Sequence, residues 1–243
     1  MPGIFSHDYI AYPFSAFTAS HILMIVLFAA VSGLLYFLRV RLRQIDCWIR
    51  GTMFFLLFVL ELFYHIWLFK GGHWDLSYTL PLHLCSISLI LCLVLLATKS
   101  RTVFQIVYFI GIIGAMMSIS TPEIFLGFPH FRYFQFFITH NLIILTCLYF
   151  VFVHQYRPTG KGLLKSFLFL NISASAAFLA NKLTGGNYMF LSYKPNSTSL
   201  LDYLGPYPYY ILVLEAVASF LFLLLLAPFQ WIERKNARME DFS

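Results

Sequence analysis

Residues 80–86 read Leu80-Pro81-Leu82-His83-Leu84-Cys85-Ser86, and they lead directly into an apolar run that extends from Ile87 to Ala97. The stretch places a proline, a histidine and a cysteine at the mouth of a segment suited to a membrane interior. Ionisable side chains are costly at the edge of such a segment and are typically retained there for a function. We therefore expect a functional site to be built around this stretch.

The composition of the whole chain indicates a membrane protein with several spans. Hydrophobic residues make up 60% of the 243 residues, charged residues only 11%, and the mean hydropathy is +0.79. Soluble domains carry about 25% charged residues, and several apolar runs here approach the ~20 residues that cross a bilayer. The net charge of +6 comes from basic residues between these runs, which indicates membrane orientation rather than nucleic-acid binding.

The apolar runs predict an all-α, polytopic membrane helical bundle that forms one integral membrane domain over residues 1–243. No cleavable signal peptide is expected, because the first 17 residues lack a basic region and the first apolar run is long enough to span. Seven transmembrane helices are expected, at about residues 18–38, 49–69, 80–97, 103–120, 133–153, 163–183 and 208–228.

The Lys and Arg residues predict the orientation of these spans. Twelve of the 16 fall in one alternating set of connecting segments, and the other four are Lys70, Arg132, Lys182 and Lys194. The positive-inside rule then places the N-terminus outside and the C-terminal tail in the cytoplasm. The basic set comprises Arg39, Arg41, Arg43, Arg50, Lys99, Arg101, Arg157, Lys161, Lys165, Arg234, Lys235 and Arg238.

The predicted outer side also carries most of the polar features. Its loops are rich in Pro, Gly, Asn and Tyr, and the long segment from Gly185 to Tyr210, without obvious regular structure, is expected to form a lid or a site wall. Ionisable groups inside the spans gather in the outer half, which scattered structural polar groups would not do. These groups are Glu61 and His65 in span two, Cys85 in span three, His140 in span five and Glu215 in span seven, with Asn181 and Lys182 closing span six.

Most of these residues also have a purely structural interpretation. Glu61 and His65 are four residues apart, so they share a helix face and could simply pair. His83 could be an interfacial histidine that reaches lipid headgroups. Cys85, taken alone, could be a small packing residue.

His140 is the hardest residue to explain by packing, because a buried imidazole needs a partner and Asn141 is its neighbour. The other cysteines carry less information. Cys92 and Cys147 are expected to pack inside spans, and Cys47 lies in a short basic loop. The four cysteines therefore predict neither a disulfide framework nor a metal site.

Helix geometry favours His140 over His83 as a base for Cys85. His83 and Cys85 are two residues apart and point roughly 200° away from each other on a regular helix, unless Pro81 opens the first turn. His140 lies at a similar depth on another helix. A Cys–His pair oriented by a third polar group is the general arrangement for nucleophilic acyl transfer. Tyr, Asn or backbone N–H groups of the long outer loop could then stabilise the oxyanion.

Short motifs follow one another along residues 55–215: residues 80–86, Thr121-Pro122, Phe128-Pro129-His130-Phe131, Phe136-Phe137-Ile138-Thr139-His140, Arg157-Pro158, Asn187-Tyr188-Met189-Phe190-Leu191, Lys194-Pro195 and Leu201-Asp202-Tyr203-Leu204-Gly205-Pro206. Together they resemble the bacterial YwaF-type integral membrane proteins. That family is remotely similar to the animal transmembrane protein 164 family, acyltransferases that remodel ether phospholipids through a cysteine.

This resemblance implies a multi-pass protein of the bacterial plasma membrane in which Cys85 accepts the acyl group. A more distant similarity, to small membrane hydrolases of fatty-acid esters of hydroxy fatty acids, implies that the partner histidine lies on a later span and is His140.

Two classes of function follow. The first is a membrane-embedded lipid acyltransferase or lipid hydrolase at the outer leaflet, with Cys85, His140 and His83 as catalytic residues and membrane lipid as both solvent and substrate. The second is a seven-span protein that binds or transports a small solute, lipid or proton through an outer polar pocket, although the inner half offers no matching polar path. A sensor with an outer ligand pocket is a third possibility. The candidate substrate-binding residues are Glu61, His65, Asn141, Asn181, Lys182, Asn187, Tyr188, Lys194 and Asp202.

No cofactor is expected, because the sequence contains no P-loop, no GxGxxG and no HExxH motif. A metal site formed by His65, His83 and His140 is conceivable, but carboxylate partners are few and we predict no metal. Nucleic acid is not expected as a partner.

Overall fold

The computed structural model describes residues 3–8, 10–195 and 200–240, apart from the side chains of residue 200 and residues 236–240. Over these ranges the regular structure is helical, with one isolated antiparallel bridge between Pro13 and Leu126. The seven α-helices are α1 (Ala19–Gln44), α2 (Asp46–Lys70), α3 (Leu84–Thr98), α4 (Arg101–Ser120), α5 (Phe131–Phe152), α6 (Gly160–Thr184) and α7 (Tyr209–Glu240).

Six of the helices in the described part of the chain are long and apolar enough to cross a membrane, and α3 is the exception. Its 15 residues extend about 22 Å, which is less than the ~30 Å of a hydrocarbon core. The sequence predicted a span from residue 80, but Pro81 disfavours a helical conformation for Leu80. Residues 80–82 instead form a tight turn, in which the Leu82 N–H donates to the Leu80 carbonyl (2.7 Å).

Helix α5 forms the centre of the bundle. In its most apolar stretch of 18 residues, 67% of the residues are buried, compared with 6% in α1. Residues of α5 pack with α3 and α4 in one apolar core. Close approach of these helices depends on small residues such as Gly111, where an added Cβ would lie 3.2 Å from Ile143 Cγ2. Helices α1, α2, α6 and α7 present more exposed apolar surface, as expected of helices that face lipid.

The bundle has two chemically different ends. We call one the basic end, formed by residues 43–46, 99–101 and 153–160, where Arg43 Nε donates to the Val153 carbonyl (2.7 Å). The other is the loop end, formed by residues 3–17, 71–83, 121–130 and 185–208, of which residues 9 and 196–199 lie outside the described ranges. Helices α1 to α6 alternate in direction between these ends, as the distribution of Lys and Arg predicted.

The N-terminal residues lie across the loop end. Trp67 Nε1 donates to the Phe5 carbonyl (2.9 Å), and His130 Nε2 donates to the Ser6 carbonyl (2.8 Å). The Phe131 N–H donates to the Ile4 carbonyl (2.9 Å). Residues 4–7 thereby connect the ends of α2 and α5 that lie at the loop end.

The long loop between α6 and α7 is more regular than its sequence indicated. It contains two 3-10 helices, Tyr188–Phe190 and Leu200–Leu204, so the expectation of a segment without regular structure was wrong for these residues. Asn181 orders the first of them, because its side chain accepts from the Tyr188 N–H (2.6 Å) and donates to the Tyr188 carbonyl (3.0 Å).

Candidate functional site

The site is built on a layer in which α3, α4 and α5 meet. An added Cβ on Gly111 would lie 3.2 Å from Ile143 Cγ2 and 3.6 Å from Ser88 Cβ. Only a residue without a side chain allows the three helices to approach this closely. The contact fixes the register of the helices, because Ser88, Gly111 and Ile143 must occupy the same height in the bundle.

One turn nearer the loop end, the same three faces carry Cys85, Gly114 and His140. Each residue is three positions, or about 4.5 Å, from its counterpart in the layer below, and α4 runs opposite to α3 and α5. An added Cβ on Gly114 would lie 3.9 Å from Cys85 Sγ, which confirms the register on the α3 side. Helix geometry therefore places the Cys85 thiol and the His140 imidazole at one height.

His140 is held in a defined tautomer. Its side chain is 8% exposed, and Nδ1 lies 2.7 Å from the Phe136 carbonyl oxygen. A carbonyl oxygen only accepts hydrogen bonds, so Nδ1 must carry the proton and Nε2 keeps its lone pair. Nε2 has no hydrogen-bond partner among the described residues. This arrangement suits a general base.

Cys85 is half-buried, and its Sγ lies 3.3 Å from Ser118 Oγ on α4. The sequence analysis missed Ser118, because it lies in an apolar run that looked uniform. The signal that could have revealed it is the spacing of Gly114 and Ser118, which are four residues apart and share the face of α4 that meets α3. Cys85 and His140 form no hydrogen bond with each other.

His83 is directed towards the long loop. Its Nδ1 accepts from the Met189 N–H (3.4 Å), and its ring packs against Tyr188 with 5.2 Å between ring centroids. It precedes the first residue of α3 and forms no hydrogen bond with Cys85. His83 therefore connects the beginning of α3 to residues 188–190, which lie over it and which we call the cover.

Glu61 and His65 form the pair that their spacing allowed, with 3.5 Å between Glu61 Oε1 and His65 Nε2. Trp74 Nε1 donates to His65 Nδ1 (3.3 Å), so Nε2 is the nitrogen that carries hydrogen towards the carboxylate. Arg132 lies over the Tyr64 ring, 4.0 Å from its centroid, and interacts electrostatically with Glu61. These side chains form a polar cluster between α2 and α5 near the loop end.

The polar cluster lies at about the height of Cys85. Arg50 Nη1 donates to the Leu96 carbonyl, which fixes α2 against α3. Glu61 is 11 residues beyond Arg50, and Cys85 is 11 residues before Leu96. Both side chains are therefore about 16 Å from that contact along antiparallel helices.

The loop residues among the predicted substrate-binding set bond mainly to the loop itself. Asn187 Oδ1 accepts from the Ser192 and Tyr193 N–H groups (3.0 and 3.2 Å). Tyr188 is fully buried, and its hydroxyl donates to the Leu76 carbonyl (2.7 Å) and accepts from the Leu80 N–H (2.9 Å). Asn187 and Tyr188 thus hold the cover of the α3 N-terminus in place.

The two lysines of that set lie further out. Lys182 Nζ lies 5.5 Å from the centroid of the Phe178 ring. Lys194 Nζ donates to the Asp202 carbonyl (3.4 Å), which joins the two parts of the long loop. Neither lysine contacts Cys85 or His140 by a hydrogen bond.

Asn141 has a different environment. Its side chain is 8% exposed, and Oδ1 is buried without a hydrogen-bond partner, as is Thr139 Oγ1 two residues earlier. Buried polar atoms normally have partners, so an unpaired amide beside His140 marks a place where a ligand could bind.

Within the described ranges, no group of three His, Cys, Asp or Glu side chains could hold a metal ion. His65 pairs with Glu61, His83 contacts the 188–190 segment, and His140 bonds to Phe136. The three histidines therefore belong to separate contacts.

Comparison with known proteins gives one informative result. The model of the TMEM164 family matches residues 16–226 of the chain, which includes every helix from α1 to α6 and most of α7. No curated protein and no solved structure matches the chain.

Proposed function

This chain belongs to the TMEM164 family, and from that membership we propose that it is a membrane-embedded lipid acyltransferase or lipid hydrolase. Cys85 is the nucleophile and His140 the general base. The reaction takes place at the loop end, which the positive-inside rule assigns to the outer leaflet. That the membrane is a bacterial plasma membrane stays an expectation from the sequence resemblance. The YwaF-type relationship remains a prediction from the sequence motifs.

The observation that carries this proposal is the shared height of a half-buried thiol and an imidazole with a free lone pair. The Phe136 carbonyl fixes the proton on His140 Nδ1, so Nε2 is available to accept the thiol proton. Ser118 orients the Cys85 Sγ. A nucleophile, a base and an orienting group are the three parts that covalent acyl transfer requires.

The first chemical step forms a thioester. Cys85 Sγ attacks the carbonyl carbon of a lipid ester while its proton passes to His140 Nε2. The ester C–O bond then breaks, the departing alkoxide takes that proton, and the acyl group stays on Cys85. In the second step a lipid hydroxyl (acyl transfer) or water (hydrolysis) attacks the thioester and restores the thiol.

The lipid headgroup would bind at the polar cluster of Glu61, His65 and Arg132, because this cluster lies at the height of Cys85 and near the loop end. Asn141 would contact the substrate next to His140. His83, Asn181, Asn187, Tyr188 and the pair Lys194–Asp202 keep the cover over the α3 N-terminus closed, and the exposed Lys182 would meet headgroups at the end of α6.

Mass spectrometry of protein purified from lipid-replete membranes tests the proposal. A hydroxylamine-labile acyl adduct is expected on Cys85, and Cys85→Ala is expected to abolish both the adduct and acyl turnover while the protein still folds. Cys92→Ala is the matched control, because it removes a thiol seven residues further along the same helix. Unchanged turnover in Cys85→Ala would contradict the assignment.

A binding or transport role is the second candidate, and the buried, unpaired Asn141 Oδ1 favours it. In that case Glu61, His65, His140 and Glu215 would line a pocket open to the loop end. Solute uptake into proteoliposomes that depends on Glu61 and persists in Cys85→Ala would support transport over catalysis.

A further inference from the structure

The basic end contains a cavity, widely open to the surface, that the proposed chemistry does not use. It has a volume of about 350 Å³ and is lined by Arg43, Asp46, Val153, His154 and Gln155. A water molecule in the liquid takes up about 30 Å³, so the cavity has room for a phosphate group with a small substituent. It lies at the opposite end of the bundle from Cys85.

Asp46 organises the basic side chains around this cavity. Its Oδ1 accepts from the Tyr149 hydroxyl (2.8 Å) and from His154 Nε2 (2.7 Å). Its Oδ2 accepts from Arg50 Nε (3.0 Å) and Lys99 Nζ (3.2 Å). Two donors on each oxygen leave the carboxylate fully occupied, so it acts as a scaffold for the surrounding groups.

Arg43 is exposed, and a single hydrogen bond holds its guanidinium without neutralising the charge. Its Nε donates to the Val153 carbonyl (2.7 Å), and no described residue accepts from its two terminal nitrogens. Arg43, Arg50 and Lys99 carry three positive charges against the single negative charge of Asp46, so two remain uncompensated when His154 is neutral. Burial lowers the pKa of His154, which favours that neutral form.

We infer that this cavity binds a phosphate group, with the Arg43 guanidinium as its main ligand and the Gln155 amide as a second donor. A planar guanidinium held through Nε presents two parallel N–H groups, which match two phosphate oxygens. Gln155 lines the cavity and has no hydrogen-bond partner among the described residues. The phosphate belongs either to a lipid headgroup of the leaflet at the basic end or to a small soluble phosphate ester.

Native mass spectrometry with two matched pairs of compounds tests this inference. Phosphatidic acid is compared with diacylglycerol of the same acyl chains, and glycerol 3-phosphate is compared with glycerol. We expect the phosphate-bearing member of at least one pair to bind at least about tenfold better than its partner. Preference confined to the lipid pair identifies a headgroup, and preference that extends to the soluble pair identifies a free ester.

Arg43→Gln is expected to remove this preference. Arg41→Gln is the matched control, because it makes the same charge change two residues away, outside the cavity lining, and should leave binding within about twofold. Arg43→Lys keeps the charge but loses the planar fork, so it should bind with intermediate affinity and also serves if Arg43→Gln fails to fold. Equal losses in Arg41→Gln and Arg43→Gln, or equal binding of compounds with and without phosphate, would overturn the inference.

Discussion

At the basic end the Asp46 carboxylate receives four hydrogen-bond donors, whereas near the loop end His140 Nε2 and Asn141 Oδ1 have none among the described residues. Both regions contain polar side chains that are largely withdrawn from solvent. They differ in whether the protein satisfies those side chains by itself.

This difference separates a structural polar network from a chemical one. Leaving a buried polar atom without a partner costs about 1–3 kcal/mol, so such an atom persists where a ligand or a reaction uses it. A fully satisfied network instead holds helix ends together. On this basis Asp46 joins α2, α3 and α5, and the buried Asn141 Oδ1, which follows His140 in α5, is available for a substrate.

The largest effect is expected from His140→Gln, which should slow formation of the Cys85 acyl adduct by about 10²–10⁴-fold, since it removes a general base. The rate is measured by mass spectrometry in a single turnover. His154→Gln is the matched control at the other end of the bundle, and it should leave the rate within about threefold. Equal slowing in both variants would contradict the distinction between a structural network at the basic end and a chemical site at His140.

Asp46→Asn should instead reduce stability. An amide oxygen cannot hold the charge-assisted hydrogen bonds of Arg50 and Lys99, and breaking such a network costs about 3 kcal/mol. For a chain of this size that corresponds to a fall of about 6–12 °C in the midpoint of thermal unfolding in detergent.

Glu233→Gln on α7 is the control for Asp46→Asn, because it neutralises an exposed carboxylate and should shift the midpoint by less than about 2 °C. A large fall in both variants would indicate a general effect of charge rather than the Asp46 network.

Local spacing predicted much of this arrangement. The four-residue separation of Glu61 and His65 allowed their pairing, and the alternation of Lys and Arg predicted the direction of successive helices. The motif at residues 80–86 marked the beginning of α3, although Pro81 shortened that helix. These features depend on residues that are close together in the sequence, so the sequence alone is sufficient to predict them.

The remaining features depend on contacts between distant parts of the chain. Ser118 reaches Cys85 because Gly111 and Gly114 bring α4 close to α3, and its spacing from Gly114 shows that the two share a helix face but not which helix that face meets. The sequence analysis did not single out Asp46, whose donors come from α2, α5 and the segments that follow α3 and α5. The free Nε2 of His140 depends on a backbone carbonyl that no side-chain pattern encodes.

Tyr188→Phe should loosen the cover over the α3 N-terminus without unfolding the bundle. It leaves the Leu76 carbonyl and the Leu80 N–H without the Tyr188 hydroxyl, at a cost of about 1.5 kcal/mol, or roughly tenfold in the open population. The measurement is the rate at which a thiol-reactive lipid analogue labels Cys85 in a Cys47→Ala background. Tyr193→Phe, which changes an exposed tyrosine, should leave the labelling rate unchanged; equal acceleration in both variants would argue against a specific cover.

The smallest effect is expected at the N-terminal crossing, where His130 is fully buried. Its Nε2 donates to the Ser6 carbonyl and its Nδ1 accepts from the Arg132 N–H, so both nitrogens are satisfied in the neutral ring. Burial lowers the pKa of His130 below its usual value of 6.5. Its contribution is therefore complete above about pH 6.5 and is lost as the pH falls through the lowered folded-state pKa, because the unfolded segment then binds the proton more readily.

Trp67 reports this change, because its indole N–H donates to the Phe5 carbonyl on the same crossing. In a protein whose other tryptophans are replaced by Phe, we expect its emission to shift to longer wavelength between pH 8 and pH 5. In His130→Asn, which retains a side chain able to cap α5, the shift should fall by at least about half, since its titrating group is gone. His7 stacks on Trp67 in both proteins, so its own influence cancels in the comparison. An identical shift in both proteins would assign the pH response to other groups and would make the N-terminal crossing a purely structural part of the molecule.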